Sequence, residues 1–371
     1  IGPRQAGKTT LCTQAFSHLP LVSLEPLDNR QYAHSDPRGF LDEHRQGVIL
    51  DEAQHVPSLF SYLQEEVDRD PTPGRFIVTG SQHFGLIQDI TQSLAGRTGV
   101  LTLLSATMDE LQRFPKYPTG LMELLWTGGY LRIHDQGIPA DLWLGDYVTT
   151  YVQRDVRQVL NITDLLAFTD YIKLCAGRAS TVLNLSALGG DAGLSHNTAR
   201  SWLSVLEASF ICFRVPAWRP NLRKQIVRAP KLHFFDSGLL CRLLGLTDPG
   251  QLRHHPLRGN VFESWVASEV YKLCSQSGSM PRIYHYRDSR GLEVDLVLER
   301  PQGLVLVECK SAATVTGDML RPLQTLASRV QDKLQPAKEP QLVLVYGGND
   351  SFTREGVRVL SWRHLDSYNW W

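Results

Sequence analysis

Apolar residues are distributed along this chain in two ways. Short unbroken runs, in "GVILDEAQ", "RFIVTGSQ" and later "GLEVDLVLERPQGLVLVECK", have the length and β-branched content of buried strands. Elsewhere apolar positions recur at three- and four-residue steps, the spacing of amphipathic helices. That step dominates from about Pro118 to Tyr171, where Leu142, Tyr147, Val148, Tyr151, Val156 and Leu160 form the stripe. Farther on, "LNLSALGGDAGLSHNTARSWLSVLEASFICFRV" reads as helix, glycine-containing turn, helix and strand. Ser195 is the expected N-cap of the second helix, and Leu194, Ala199, Trp202, Leu203 and Leu206 supply its packing face. Strands alternate with helices in the first hundred residues, which predicts a parallel sheet covered on both faces.

A length of 371 residues suggests two or three domains, and 42% hydrophobic with 20% charged residues is a globular composition. The formal net charge of zero argues against a protein that coats nucleic acid unspecifically, while leaving room for a local basic patch. Six cysteines without CxxC spacing suit reduced thiols, no apolar run approaches the ~20 residues of a membrane span, and no signal peptide is visible. A cytoplasmic setting is expected. The chain opens at "IGPRQAGKTT", with only Ile1 where a strand normally aims such a loop, so a start cut short is also expected.

Gly2, Pro3, Arg4, Gln5, Ala6, Gly7, Lys8 and Thr9 fit GxxxxGK[ST], with Thr10 following. Glycines there let successive N–H groups turn toward a polyphosphate, and the next helix adds its positive end. Lys8 would neutralise the β- and γ-phosphates of ATP, and the Thr9 hydroxyl would ligate Mg²⁺. The run Val48 to Leu50 ends in Asp51 and Glu52, where a parallel sheet presents its strand ends to ligand. Asp51 would hold the Mg²⁺ shell and Glu52 would polarise the attacking water. The third run ends in Ser81 and Gln82, polar groups expected near the γ-phosphate. Arg97 reads equally well as a phosphate sensor, an arginine finger for a neighbouring subunit, or a helix cap.

"GPRQAGKTTL", "ILDEAQHVPSLFSYLQ", "FIVTGSQHF" and "SLAGR" resemble a bacterial and archaeal family of AAA-superfamily ATPases with a C-terminal domain of uncharacterised function. The resemblance continues through "TGGYLR", "YVQRDVRQVLNITD", "KLHFFDSGLLCRLLG" and "RGNVFESWV", nearly the whole chain. It implies ATP binding, and a C-terminal part that combines a winged helix with a restriction-endonuclease-like fold. The expected organisation is a P-loop ATPase at 1–115, a helical linker at 116–175, a winged helix-turn-helix at 176–235 and the nuclease-like domain at 256–371.

Within "YVQRDVRQ", Arg154, Asp155 and Arg157 read as a solvated or subunit-facing surface. On the second helix of the winged module His196, Asn197, Arg200 and Ser204 are expected to face out. Between Glu207 and Asp236 no carboxylate occurs, while Arg214, Arg219, Arg223, Lys224, Arg228 and Lys231 do. Cations grouped in this way could track phosphates; the alternative is a solvated hairpin.

The turn "RPQG" folds the late apolar runs into a hairpin, opposing Glu299 to Leu304, Val297 to Leu306, Asp295 to Glu308 and Glu293 to Lys310. Period-two alternation puts these on one face and Val294, Leu296, Leu298, Val305 and Val307 on the other, the core. Two opposed carboxylates repel, and a Mg²⁺ ion held by Asp295 and Glu308 would relieve that, with Lys310 to activate a water and Glu263 contributed by the preceding helix. This helix glutamate and D…ExK set resembles the PD-(D/E)xK nuclease superfamily, notably its Holliday-junction-resolvase-like branch. Three functions are compatible with these features: an ATP-dependent DNA-processing enzyme, a nucleotide-regulated switch that docks a protein partner or a second copy, and a remodelling ATPase.

Overall fold

The computed structural model describes residues 1–81, 94–156, 164–219, 229–278, 281–331 and 339–371, with the backbone alone at 153–156 and 331. The chain forms two compact units. One comprises Ile1–Leu104 with Ala208–Phe210, the other Ser105–Glu207 with Ile211–Trp371.

The first unit is built on a parallel sheet. Helix α1 (Lys8–Ala15) follows the glycine loop, and then come β1 (Leu21–Ser23), α2 (Leu27–Ser35), α3 (Pro37–Glu43), β2 (Val48–Asp51), α4 (Leu59–Arg69) and β3 (Phe76–Val78). β2 lies between β1 and β3 and is buried at all four positions, the place its unbroken apolar run demands. Leu24, Phe40, Leu41, Phe60 and Leu63 pack over it. β1 was not foreseen: three residues are too few for a periodic signal, and Leu21 is exposed. Ile1 accepts a hydrogen bond from Leu103 N at 2.8 Å, and its amine donates to Leu101 O at 2.8 Å.

The second unit begins with short helices: α5 (Met108–Leu111), α6 (Leu121–Thr127), α7 (Leu131–Gln136), α8 (Ala140–Tyr147) continuing into a π-helix (Val148–Val156), and α9 (Leu165–Ala176). The expected helical stripe is real but narrower. Tyr147 and Tyr151 are buried in an aromatic stack with Trp143 and Tyr130, whereas Leu142 is 61% exposed. The side chain of Val156 and all of Leu160 lie outside the described residues, as do the side chains of Arg154 and Asp155 and the whole of Arg157.

Next come α10 (Leu185–Asp191) and α11 (His196–Ala208), then an antiparallel ribbon of β4 (Cys212–Val215) and β5 (Lys231–Phe234). Ser195 accepts from Thr198 N at 3.1 Å, as an N-cap should. Helices α12 (Ser237–Leu243), α13 (Pro249–His254) and α14 (Arg258–Gln276) lead into β6 (Ile283–Arg287), β7 (Glu293–Arg300) and β8 (Gly303–Lys310). α15 (Arg321–Gln331), β9 (Gln341–Tyr346), β10 (Phe352–Arg354) and β11 (Val357–Ser361) complete the chain. The six strands form one mixed sheet in the order β10-β11-β9-β8-β7-β6. No described helix is long and apolar enough to cross a membrane.

Over Leu296–Arg300 the β7–β8 hairpin has the expected register, with Glu299 opposite Leu304, Val297 opposite Leu306 and Leu296 opposite Val307. Its faces do not divide as expected. Val297, Leu304 and Leu306 are buried with Leu323, Leu326 and Val330 of α15, so both sides of β8 are covered. Against β6 the register shifts: Tyr284 meets Val297 but Tyr286 meets Val294. Asp295 and Leu296 together oppose His285, a bulge that breaks the alternation just where the carboxylate sits.

Asp236 ties two segments of this unit together. It caps α12 by accepting from Leu239 N at 2.9 Å, and it accepts from Gly129 N at 2.8 Å. Gly128 has φ +73°, and a Cβ there would stand 2.3 Å from Asp236 Oδ1, so the approach requires glycine. Asp236→Ala leaves two buried N–H groups without partners and is expected to destabilise the unit by about 2–5 kcal/mol, read by urea denaturation. A change under about 1 kcal/mol would remove Asp236 from this role.

Candidate functional site

The glycine loop is shaped by backbone conformations that few residues adopt. Gln5 and Gly7 take φ +63° and +88°, and a Cβ on Gly2 would fall 1.9 Å from Leu103 O. Pro3 and Ala6 are buried, Arg4 partly so, and Thr10 is exposed on α1. Lys8 is buried at 9% exposure and donates to Gly2 O at 3.0 Å and Pro3 O at 2.8 Å. Burial lowers its pKa from the usual lysine value, against the pull of Glu52 and Asp51.

Thr9 Oγ1 reaches both oxygens of Asp51, at 3.0 and 3.1 Å. Thr79, just beyond β3, donates to the same carboxylate. Thr79 went unnoticed in the sequence, although "IVTG" places it directly after the apolar run. Glu52 follows in a left-handed conformation, φ +55°, and accepts from Ser81 Oγ at 3.0 Å and from Gln54 Nε2. Ser81 therefore holds the acid that was expected to polarise water. Gln82 lies outside the described residues. Arg97 forms a two-pronged pair with Asp68, with Nη2 3.0 Å from Oδ2 and Nε engaging Oδ1, so its guanidinium is occupied by a carboxylate on α4.

The second cluster differs from expectation in one respect that alters its chemistry. Lys231, expected among phosphate-tracking cations at the surface, is 1% exposed. Its ammonium lies 2.8 Å from Glu263, 2.6 Å from Glu293 and 3.1 Å from Asp295. All four residues of β5 are buried, and Lys231, paired with Val215 across the ribbon, is held inside with them. His285 Nε2 donates to Ala229 O at 3.0 Å, and Ala217 bridges His285, which ties the ribbon to the sheet at the bulge. The signal available in the sequence was the lysine inside "APKLHFF", a strand too apolar to be a solvated face.

Glu263 and Asp295 thus converge, as expected, but on an ammonium ion. Asp295 Oδ2 also accepts from Cys309 N at 2.9 Å. Glu308 is buried and takes Lys310 Nζ at 2.6 Å, while its Oε2 has no hydrogen-bond partner among the described residues. No group of three His, Cys, Asp or Glu side chains arranged for a metal occurs among the described residues. Burial opposes the charge on Lys231, yet Asp295, Glu263 and Glu293 together raise its pKa well above the ordinary value. Burial and the neighbouring Asp295 push Glu263 up to about 8, against Lys231, and push Glu308 up to about 8, against Lys310. Arg200 and Arg219 are exposed. Arg223, Lys224 and Arg228 lie outside the described residues.

Three family models match the chain: an AAA domain over residues 1–112, a domain of unknown function (DUF8612) over 119–250, and a second domain of unknown function (DUF4143) over 258–365. Residues 1–112 thus match an AAA domain, and two domains of unknown function follow it. Two curated relatives, the uncharacterized protein Rv2008c of Mycobacterium tuberculosis and Mb2031c of Mycobacterium bovis, are each 27% identical over 367 residues. Each alignment covers 95% of this chain and 76% of the relative. A crystal structure of protein VC1899 from Vibrio cholerae aligns over 92% of this chain and 78% of its own, at 14% identity and a TM-score of 0.22, too low to inform the fold.

The carboxylate shifts make a pH prediction with a definite sign. Glu263 and Glu308 titrate near 8 when folded, against 4.5 for an ordinary glutamate, so the native state holds extra protons between those values. Their contribution to stability is complete below the lower value and is lost as pH rises through the upper one. Glu308→Gln removes one such titration. The fall in unfolding free energy across that window should become shallower by up to roughly 1.4 kcal/mol per pH unit. An unchanged slope would mean that Glu308 is ionised throughout.

Proposed function

We propose that this protein hydrolyses ATP at its glycine loop and couples turnover to DNA binding or processing by the C-terminal region. The observation that carries the ATPase half is Thr9 Oγ1 set against both oxygens of Asp51, the two groups that would share a Mg²⁺ ion. Backbone N–H groups of residues 4–9 would receive the phosphates, and the Lys8 ammonium would exchange Gly2 and Pro3 carbonyls for phosphate oxygens. Bound Mg²⁺ would supply charge neutralisation between the phosphates. Glu52, released from Ser81 and Gln54, would orient the attacking water. Arg97 could sense phosphate or act on a neighbouring subunit only after leaving Asp68.

For the DNA half, we assign α10, α11 and the β4–β5 ribbon as a winged helix, with Arg200, Arg219, Arg223, Lys224 and Arg228 as phosphate contacts. Residues from α14 through β9 are read as a nuclease-like fold in which Glu263, Asp295, Glu308 and Lys310 carry the chemistry. The gathering of these side chains, with one oxygen of Glu308 left without a described partner, supports that reading. A second reading is favoured by Lys231: its ammonium already satisfies Glu263 and Asp295, as in a nucleotide-regulated switch whose nuclease-like domain docks a partner and does not cut.

Lys8→Ala should lower ATP turnover by about a hundredfold or more, measured by phosphate release. Turnover unchanged in that variant would place hydrolysis elsewhere. Glu308→Ala should abolish Mg²⁺- or Mn²⁺-dependent nicking of plasmid and branched DNA. If the unaltered protein neither nicks nor retains DNA at low salt, the partner-docking reading replaces the DNA half.

A further inference from the structure

Lys231 occupies the position where a cation is expected. Glu263 from α14 and Glu293 and Asp295 from β7 all point to one spot, and the charge found there is an ammonium on a lysine stem. Counted locally, Glu263, Glu293, Asp295 and Glu308 carry four potential negative charges, against Lys231, Lys310 and Arg287, whose Nη1 lies 3.6 Å from Glu293. The buried Glu308 Oε2, next to this group, accepts from no described donor. The cluster therefore holds more acceptor capacity than its internal cations use.

The lysine is also held from outside the catalytic elements. It sits on β5, which is tied to the sheet by the Ala217–His285 bridge and by the hydrogen bond from His285 to Ala229 O, two residues before Lys231. The ligands and the ammonium thus belong to different segments of the chain. The lysine's segment is held to α14 as well, since Phe234 N donates to Ser264 Oγ at 2.8 Å and Ser268 Oγ donates to Phe235 O at 2.6 Å.

We propose that Lys231 is a tethered counter-ion that competes with a divalent cation for Glu263 and Asp295, beside the open oxygen of Glu308, keeping the nuclease-like site closed to metal. The inference rests on the nuclease-like reading of that cluster. A compact ammonium satisfies hydrogen-bonded carboxylates without offering the open coordination positions that a phosphodiester needs. Removing an internal competitor raises apparent affinity by the factor to which it had occupied the site.

The test is a Mn²⁺ titration of nucleotide-free, full-chain protein, with free Mn²⁺ read by electron paramagnetic resonance. Any ion taken up near Thr9 and Asp51 is common to all samples and subtracts. Lys231→Met should gain one Mn²⁺ site at least about tenfold tighter than the unaltered protein shows there. Adding Asp295→Asn should remove that site, and Mn²⁺ should raise the melting temperature of Lys231→Met alone. A folded Lys231→Met with an unchanged Mn²⁺ isotherm overturns the proposal. Should that variant fail to fold, reductive methylation of the unaltered protein decides: Mn²⁺ should accelerate modification of Lys231 severalfold, and an unchanged rate at saturating Mn²⁺ overturns the proposal equally. Extra Mn²⁺ binding by Lys231→Met without any DNA nicking would sustain this inference and remove the cleavage reading. Nicking by the unaltered protein that Glu308→Ala abolishes, with no Mn²⁺ gain in Lys231→Met, would do the reverse.

Discussion

A single buried ammonium organises the C-terminal half of this protein. The buried carboxylates of Glu263, from a helix, and Asp295, from a strand, cannot both be anions without an opposing charge, and Lys231 supplies it. The ribbon, the long helix α14 and the sheet all bring side chains to that point. Removing one partner from such a cluster typically costs about 3–5 kcal/mol, because the others are left charged and dry. The lysine is thus as much a part of the architecture as of any chemistry.

The first unit follows a comparable logic at lower charge density. A fully buried strand carries Asp51 to its end, and two hydroxyls, from Thr9 and Thr79, converge on that carboxylate. Glu52 turns away through a left-handed residue into the grip of Ser81 and Gln54. The acid that would do chemistry is thereby kept apart from the acid that would hold an ion, though they are neighbours in sequence.

How much of this could be read in advance depended on whether a signal was local. The glycine loop, the DEAQ strand end, the Ser195 cap and the register of the late hairpin are properties of a few adjacent residues, and each was legible. The sign of Lys231 was legible too, but its position was not. An acid-free stretch looks like a phosphate-binding surface until the partners, 32 to 64 residues away in the chain, come into view. The two faces of the hairpin escape a local reading as well: α15 covers the face of Val297, Leu304 and Leu306 that alternation leaves to the acids, and the bulge at Asp295 and Leu296 interrupts that alternation. Leu142 shows the limit of periodicity from the other side, since an apolar residue at helical spacing still lies 61% exposed.

That bulge also fixes a length. Between the residues facing Tyr286 and Tyr284, β7 has two positions where β6 has one, and the surplus residue turns Asp295 out of the regular alternation. Shortening the strand there by one residue would restore the ladder and swing the carboxylate across the sheet, into space filled by leucines of α15. An insertion or deletion inside these few residues would therefore dismantle the charged centre without changing a single one of its side chains.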